Sequence, residues 1–203
     1  IQLMVGLPGD KYEYDIETAK KTISLRPDMV RIYPTLVIKD TTLEVLYEKG
    51  LYRPLPLDEA ITTTKEMYLN FIANHINVIR MGLYPSEDLR SSDTVIAGPF
   101  HPAFGELVEQ EVFYDQVQFL IESVKDEINL DKLFIFVNPR DISKMVGNKR
   151  KNTSKLKNDW QLEEVVVKGF NLLNQNSIGI SKDSNKPSYV LTLEEYLRRA
   201  DYV

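Results

Sequence analysis

Short apolar runs that stop at glycine or proline recur through the first hundred residues. Ile1–Val5 is followed directly by Gly6-Leu7-Pro8-Gly9, and Met29–Tyr33 is followed by Pro34. A buried parallel strand that ends in a tight loop has this pattern. These runs therefore predict two strands with loops at their carboxyl ends.

The segment between the two runs has helical periodicity. Ile16, Ala19 and Ile23 recur on one face of a helix from Tyr12 to Leu25, and Tyr12 extends that face. Pro27 disfavours helical geometry in the residue before it and so ends the helix. Strand, helix and strand in this order predict a βαβ unit with parallel strands.

The remaining elements are predicted from the same two signals, short apolar runs for strands and apolar residues at helical spacing for helices. In chain order, the predicted elements are a helix from Thr41 to Gly50, a helix over Leu57–Ala73, a strand over Ile76–Met81, a helix from Phe104 to Ile128, a strand over Leu133–Val137, helices over Asp141–Val146 and Asn152–Trp160, a strand over Leu162–Lys168 and a final helix over Leu193–Arg199.

The composition limits the kinds of metal and catalytic site that this chain can contain. The 203 residues include no cysteine and only two histidines, His75 and His101. These counts exclude a cysteine-ligated zinc or iron–sulfur site within the chain and disfavour a histidine triad. No apolar run reaches the ~18–20 residues of a membrane span, so we expect a chain without membrane contact, in the cytoplasm. Asp10, Asp15, Asp28 and Glu106 are acid–base candidates by position only, and each is better explained as a cap or a surface group, so the catalytic residues stay unknown.

Charge is distributed unevenly. The segment from Pro139 to Trp160 holds seven Lys and Arg against two Asp, a local balance of +5, whereas the whole chain carries −5. Such asymmetry is typical of a nucleic-acid-binding face. A solvated helical surface explains it as well, and both interpretations stay open.

The first residue is Ile1, and it lies inside a predicted strand. We therefore expect the chain to be a fragment whose front part, the N-terminal half of the same domain, is missing.

Two stretches carry a family resemblance. The phrase MVGLPGD, and then PDMVRIYPTLVIKDTT from Pro27 to Thr42, resemble the second half of the radical S-adenosylmethionine (SAM) barrel, most closely that of the Elongator catalytic subunit and its bacterial relatives. The oxygen-independent coproporphyrinogen III oxidases are similar over the GLPG and Tyr-Pro segments. The phrase AGPFHPAFGELV extends the resemblance past residue 100.

The resemblance implies cofactors for the intact protein. Radical SAM enzymes hold a [4Fe–4S] cluster with a cysteine triplet, which is absent here, so we expect no cluster and no metal in this chain. The resemblance places the adenine of SAM against the carboxyl ends of the first two strands. The residues implied as the cofactor-binding set are Val5, Gly6, Leu7, Tyr33 and Pro34.

A second resemblance concerns residues 101–203. Their order of helix, strand, helix, loop, helix and strand resembles the KH-type RNA-binding fold, in which a Gly-x-x-Gly loop lets the backbone approach phosphates. Here Arg150 replaces the second glycine. The implied RNA-binding set is Gly147, Asn148, Lys149, Arg150 and Lys151.

Together these patterns predict an α/β chain, with the late βα units of a partial radical SAM barrel in residues 1–100 and a small α+β, KH-like module in residues 101–203. The intact protein is expected to be a radical SAM iron–sulfur enzyme that acts on tRNA, with the fragment inactive alone. Two alternatives stay open, namely a non-catalytic RNA-binding or interaction module and a coproporphyrinogen-oxidase-like enzyme.

Overall fold

A computed structural model describes residues 1–84, 94–126 and 131–202. The chain divides into two compact units, Ile1–Val108 and Glu109–Val203, and each is described separately. The sequence pattern placed this boundary near residue 100. Within the described ranges, no helix is both long enough and apolar enough to cross a bilayer.

The first unit is built on a parallel sheet. Its strands are β1 (Gln2–Val5), β2 (Met29–Pro34) and β4 (Asn77–Met81), in the order β1-β2-β4. Both pairings are parallel, as predicted for the βαβ unit. Two short strands, β3 (Val37–Ile38) and β5 (Val95–Ala97), form a separate antiparallel pair that the sequence pattern did not reveal.

Helices cover one face of the parallel sheet. They are α1 (Tyr12–Ser24) and α3 (Leu57–Ala73), and α2 (Thr42–Glu48) lies between them in sequence. Ala19 of α1 and Phe71 of α3 are fully buried with strand residues such as Ile32, because strand alternation turns every second side chain to this face. The prediction for Ile16, Ala19 and Ile23 is confirmed, whereas Tyr12 is exposed and lies outside this core.

The second unit contains a mixed four-stranded sheet in the order β7-β6-β8-β9. β6 pairs in parallel with β7 and antiparallel with β8, and β8 pairs antiparallel with β9. The long helix α4 begins at Phe104, in the first unit, and ends in the second. The bounds of the elements are α4 (Phe104–Val124), β6 (Lys132–Val137), α5 (Ile142–Val146), α6 (Lys151–Asp159), β7 (Glu164–Gly169), β8 (Ile178–Ser181), β9 (Tyr189–Leu191) and α7 (Leu193–Arg199).

The α/β class is thus confirmed, and the predicted order of elements from α4 to β7 is present. The end of α4 predicted at Ile128 lies outside the described residues. The strands β8 and β9 went unpredicted. The assignments to a partial barrel and to a KH-like module stay predictions.

Candidate functional site

The carboxyl ends of β1 and β2 meet at one edge of the parallel sheet. Val5 is the register partner of Pro34, and Met4 is the partner of Tyr33. The Thr35 N–H donates to the Val5 carbonyl at 3.0 Å, which ties the two strand ends together. The five residues of the cofactor-binding set, called the cofactor edge below, therefore do lie at one end of this sheet.

The backbone polar groups in the loop after β1 are already bonded within the protein. The Gly6 carbonyl accepts from the Tyr52 hydroxyl at 2.7 Å, and the Gly6 N–H donates to the Asp15 carboxylate. The Leu7 N–H donates to Asp10 at 3.0 Å, and the Leu7 carbonyl accepts from the Asp10 N–H at 2.9 Å. These groups are not free to read a ligand's edge, contrary to what a strand end before glycine suggested.

The side chains of the cofactor edge differ in their exposure to solvent. Val5 is 1% exposed and packs in the core, whereas Leu7 is 42% exposed and Tyr33 is half-buried. Immediately after the edge, the buried Thr35 Oγ1 has no hydrogen-bond partner among the described residues. Pro34 is buried, so Leu7 and Tyr33 are the two long side chains of this set that present surface.

A cavity of about 270 Å³ lies beside the start of α1 and is lined mainly by acidic side chains and threonines, including Asp10, Asp15 and Asp58. Asp15 is 5% exposed. Burial, together with the neighbouring Asp10 carboxylate, raises the pKa of Asp15 to about 6, although the Gly6 N–H acts in the opposite direction. Within the described ranges, no three His, Cys, Asp or Glu side chains cluster as metal ligands.

His101 and the acid–base candidate Glu106 lie at the start of α4. His101 Nδ1 accepts a hydrogen bond from the Ala103 N–H at 3.1 Å, just before α4 begins. Glu106 is exposed in the first turn of that helix, where a carboxylate interacts favourably with the helix dipole. Neither arrangement sets up a proton transfer.

The five residues of the RNA-binding set, Gly147–Lys151, are called the basic loop below. They connect α5 to α6 through left-handed backbone at Gly147, Lys149 and Arg150. Gly147 is required, because a Cβ there would lie 3.0 Å from Asn152 and φ is +77°. The loop is anchored to α4, since Gln110 Oε1 accepts from the Asn148 N–H at 2.8 Å and the Gln110 carbonyl accepts from Asn152 Nδ2 at 2.7 Å.

The N–H groups of the basic loop are largely used within the protein. Those of Gly147, Arg150 and Lys151 donate to carbonyls of the same segment, and that of Asn148 donates to Gln110. The backbone approach to phosphates that a KH loop uses is therefore restricted here. Any phosphate contact must come from side chains.

The positive charge of the segment is partly neutralised. Lys151 Nζ lies 2.6 Å from a Glu111 carboxylate oxygen, and Lys144 Nζ lies 3.1 Å from Glu109. Lys155 Nζ lies 3.9 Å from the centre of the Tyr114 ring. Among the described residues, no carboxylate lies within ion-pair distance of the remaining cations, which are Arg140, Lys149, Arg150 and Lys157.

Two of these four cations face a common groove. It has a volume of about 490 Å³, runs between α6 and the edge strand β7, and is lined by Arg150 and Lys157, with Thr153 and Ser154 between them in sequence. These four residues lie three, four and seven positions apart, which places them on one helical face. The groove is also lined by Glu163 and Glu164, and the latter pairs with Lys132 at 3.4 Å.

Comparison with known proteins identifies part of the chain. Residues 27–113 match the Radical_SAM C-terminal domain. This segment is similar to that family, and it makes up less than half of the chain. It starts just before β2 and ends within α4, so it contains Tyr33 and Pro34 of the cofactor edge. The resemblance to the C-terminal portion of radical SAM enzymes is confirmed.

Individual relatives cover shorter stretches. The chain is 34% identical over 79 residues to an uncharacterized protein of Methanocaldococcus jannaschii, a match that covers 39% of this chain and 24% of that protein. It is 42% and 40% identical over 62 residues to the tRNA uridine(34) acetyltransferases of M. jannaschii and Methanocaldococcus infernus. Each of these two matches covers 29% of this chain and 12% of the relative. The matched part of the chain thus spans at most a quarter of these curated relatives.

Intact enzymes of the radical SAM family use SAM and an iron–sulfur cluster. The cluster does not fit this chain, because it needs thiolate ligands and there is no cysteine. The adenine part of SAM needs no thiolate, and Leu7 and Tyr33 present side-chain surface at the cofactor edge. Sequence reasoning missed Thr35 and the burial of Asp15, and periodicity carries no signal for an unsatisfied hydroxyl.

Proposed function

We propose that the intact protein is a radical SAM iron–sulfur enzyme that modifies tRNA in the cytoplasm. The observation that carries this proposal is the match of residues 27–113 to the Radical_SAM C-terminal domain, together with the 62 residues aligned with a tRNA uridine(34) acetyltransferase. This chain would supply late strands of the barrel and an RNA-contacting, KH-like module. It would perform no turnover by itself.

In this proposal, the cofactor edge supports the adenine of SAM. Leu7 and Tyr33 provide apolar contact, whereas Pro34 is buried and supports the strand end. Val5 and Gly6 hold the loop in shape, through the core and through Tyr52 respectively. When bound, SAM supplies the radical that follows its reductive cleavage, and its electron source lies outside this chain.

The basic loop contacts RNA through Lys149 and Arg150, with Lys157 on the same groove as Arg150. Free cations that face a groove neutralise phosphates and release counterions, so binding weakens steeply with salt. Lys151 contributes less than its charge suggests because Glu111 already pairs with it. The mixed lining, with Glu163 in the groove, favours a defined path for the RNA over a uniformly basic surface.

Binding of a tRNA transcript, followed by fluorescence anisotropy across a salt series, tests this interface. The K149A/R150A variant should bind at least tenfold more weakly at low salt, or about 1.4 kcal/mol. Its matched control is K182A/K186A, which removes two exposed cations from another part of the same unit. Equal affinity of the two double variants would reject the interface and leave the basic segment as a solvated surface.

A further inference from the structure

Two consecutive residues of the basic loop have left-handed backbone although neither is a glycine. The φ angle is +50° at Lys149 and +63° at Arg150, and these two residues are called the loop tip below. Left-handed backbone brings the Cβ atom of an L-residue close to the following carbonyl oxygen, so it costs free energy at residues other than glycine. Among the described residues, no carboxylate pairs with either side chain of the loop tip. The strained positions of the loop and its unpaired charges therefore coincide.

Asn152, in the first turn of α6, holds the loop from behind. It is 1% exposed, and its Nδ2 amide donates to the Gln110 carbonyl at 2.7 Å and to the Lys144 carbonyl at 3.4 Å. Its Cγ atom also lies 3.0 Å from the position that a Cβ at Gly147 would take. One buried side chain thus connects α4, α5 and the start of the loop.

Further side chains bond the backbone at both ends of the loop tip. Gln110 of α4 is 8% exposed, and its Oε1 accepts from the Asn148 N–H at 2.8 Å, one residue before the tip. At the other end, Thr153 Oγ1 donates to the Arg150 carbonyl at 3.0 Å. Strained backbone persists only where the surrounding contacts over-determine it. Here those contacts come from α4 and α6, and they fix the path of the loop from both sides.

The neighbours of Gln110 on α4 neutralise the lysines on either side of the loop tip. Glu109 pairs with Lys144 at 3.1 Å, before the tip. Glu111 pairs with Lys151 at 2.6 Å, after the tip. A loop that only connected α5 to α6 would be more stable with glycine at the strained positions. Unpaired cations held there instead are typical of a functional site, where a local rule is broken for a purpose.

We propose that Gln110 and Asn152 are positioning residues that preorganise the loop tip for the phosphates of the RNA substrate. Both are buried, so neither contacts the RNA itself. Because they hold the tip in place beforehand, the tip need not be ordered when RNA binds, and that entropic cost is avoided. This inference rests on the proposed function, because it assumes an RNA substrate at the basic loop. It adds two uncharged residues that no count of charges would reveal.

The test is tRNA binding by the Q110M variant, followed by fluorescence anisotropy across a salt series. Methionine keeps the length of the side chain and removes the acceptor for the Asn148 N–H. The affinity at low salt should fall at least about fivefold, because the loop tip must then be ordered on binding. The slope of log K against log salt should stay unchanged, since every cation is still present. A merely structural role would lower stability and leave the tRNA affinity of the folded protein as it was.

The matched control is Q118M, further along α4. Gln118 bonds to Tyr114, Asp159 and Trp160, so it also ties α6 to α4, but at the end opposite to the basic loop. Q118M should change the tRNA affinity by less than about twofold, because the loop tip keeps all its contacts. Urea unfolding of each variant establishes that the binding assays measure folded protein. Q110N, whose side chain is one methylene shorter, is the milder second variant and should weaken binding in the same direction as Q110M.

The strain is tested by comparing K149G with K149A. Both variants lose the charge, but only glycine removes the Cβ atom, so K149G should unfold at a higher urea concentration than K149A. Equal unfolding midpoints would contradict the strained geometry and the inference with it.

If Q110M and Q110N bind tRNA as tightly as Q118M does, the inference is overturned, while weaker binding by K149A/R150A would leave the proposed function standing. If the parent protein itself does not bind tRNA, the proposed function fails, and this inference fails with it.

Discussion

Lys151 and Glu111 form a 2.6 Å ion pair between the start of α6 and the preceding long helix α4. The partners are forty residues apart in sequence. Counting charges alone would include Lys151 among the cations available to RNA. The ion pair instead gives Lys151 a structural role within the protein. Lys149 and Arg150 remain as the cations of the basic loop that have no carboxylate partner among the described residues.

This division predicts unequal effects of single changes. K151A should alter tRNA affinity by less than about twofold, because the lost cation was already paired. E111Q should strengthen binding modestly, since it releases Lys151 toward solvent. Fluorescence anisotropy at one low salt concentration measures both variants. A tenfold loss with K151A would show that Lys151 leaves Glu111 to contact RNA.

Asp15 predicts a pH dependence of stability. Its pKa is about 6 in the folded chain against an ordinary value of 3.8, so the folded state binds its proton more tightly. The stabilisation from this group is therefore complete below about pH 4 and disappears as pH rises through 6. D15N keeps an acceptor for the Gly6 N–H and carries no charge. The change that D15N causes in the free energy of unfolding should be more stabilising at pH 7.5 than at pH 4, by about 1–3 kcal/mol. Urea unfolding at both pH values measures this, and a pH-independent effect of D15N would contradict it.

Replacement of Gly82, where β4 ends against α4, should lower the free energy of unfolding by a large amount. Its φ is +82°, and an added Cβ would lie 2.6 Å from Phe104 Cβ. G82A should lower the free energy of unfolding by about 2–5 kcal/mol, from backbone strain and overpacking together. Gly50 provides the control, because its φ is +68° and nothing lies within 4 Å of the position that a Cβ would take. G50A should cost only about 1–2 kcal/mol, and equal costs would argue against the contact with Phe104.

Local sequence patterns were sufficient for much of the fold. Apolar runs before Gly6 and Pro34 predicted β1 and β2, and their parallel pairing followed from the intervening helix. β8 was missed because its four residues include Gly179 and are followed by a polar loop. That glycine is required by close packing, since a Cβ would lie 2.5 Å from Pro187, and such a contact is invisible in sequence.

The candidate sites were less predictable, since their chemistry depends on long-range partners. The sequence pattern predicted free backbone polar groups after β1. In the structure, the Gly6 carbonyl bonds to Tyr52 and the Gly6 N–H bonds to Asp15. The charge count also included every cation near the basic loop, although α4 supplies carboxylates to two of them.

The most direct test of the central claim is iron and acid-labile sulfide analysis of the intact protein after anaerobic purification, combined with an assay of reductive SAM cleavage with and without tRNA. The 203-residue chain is the control, and it should hold no cluster because it has no thiolate ligands. We expect stoichiometric iron and sulfide in the intact protein and faster SAM cleavage when tRNA is present. Binding of tRNA by an intact protein that holds neither iron nor sulfide would contradict the account and indicate a non-catalytic RNA-binding module.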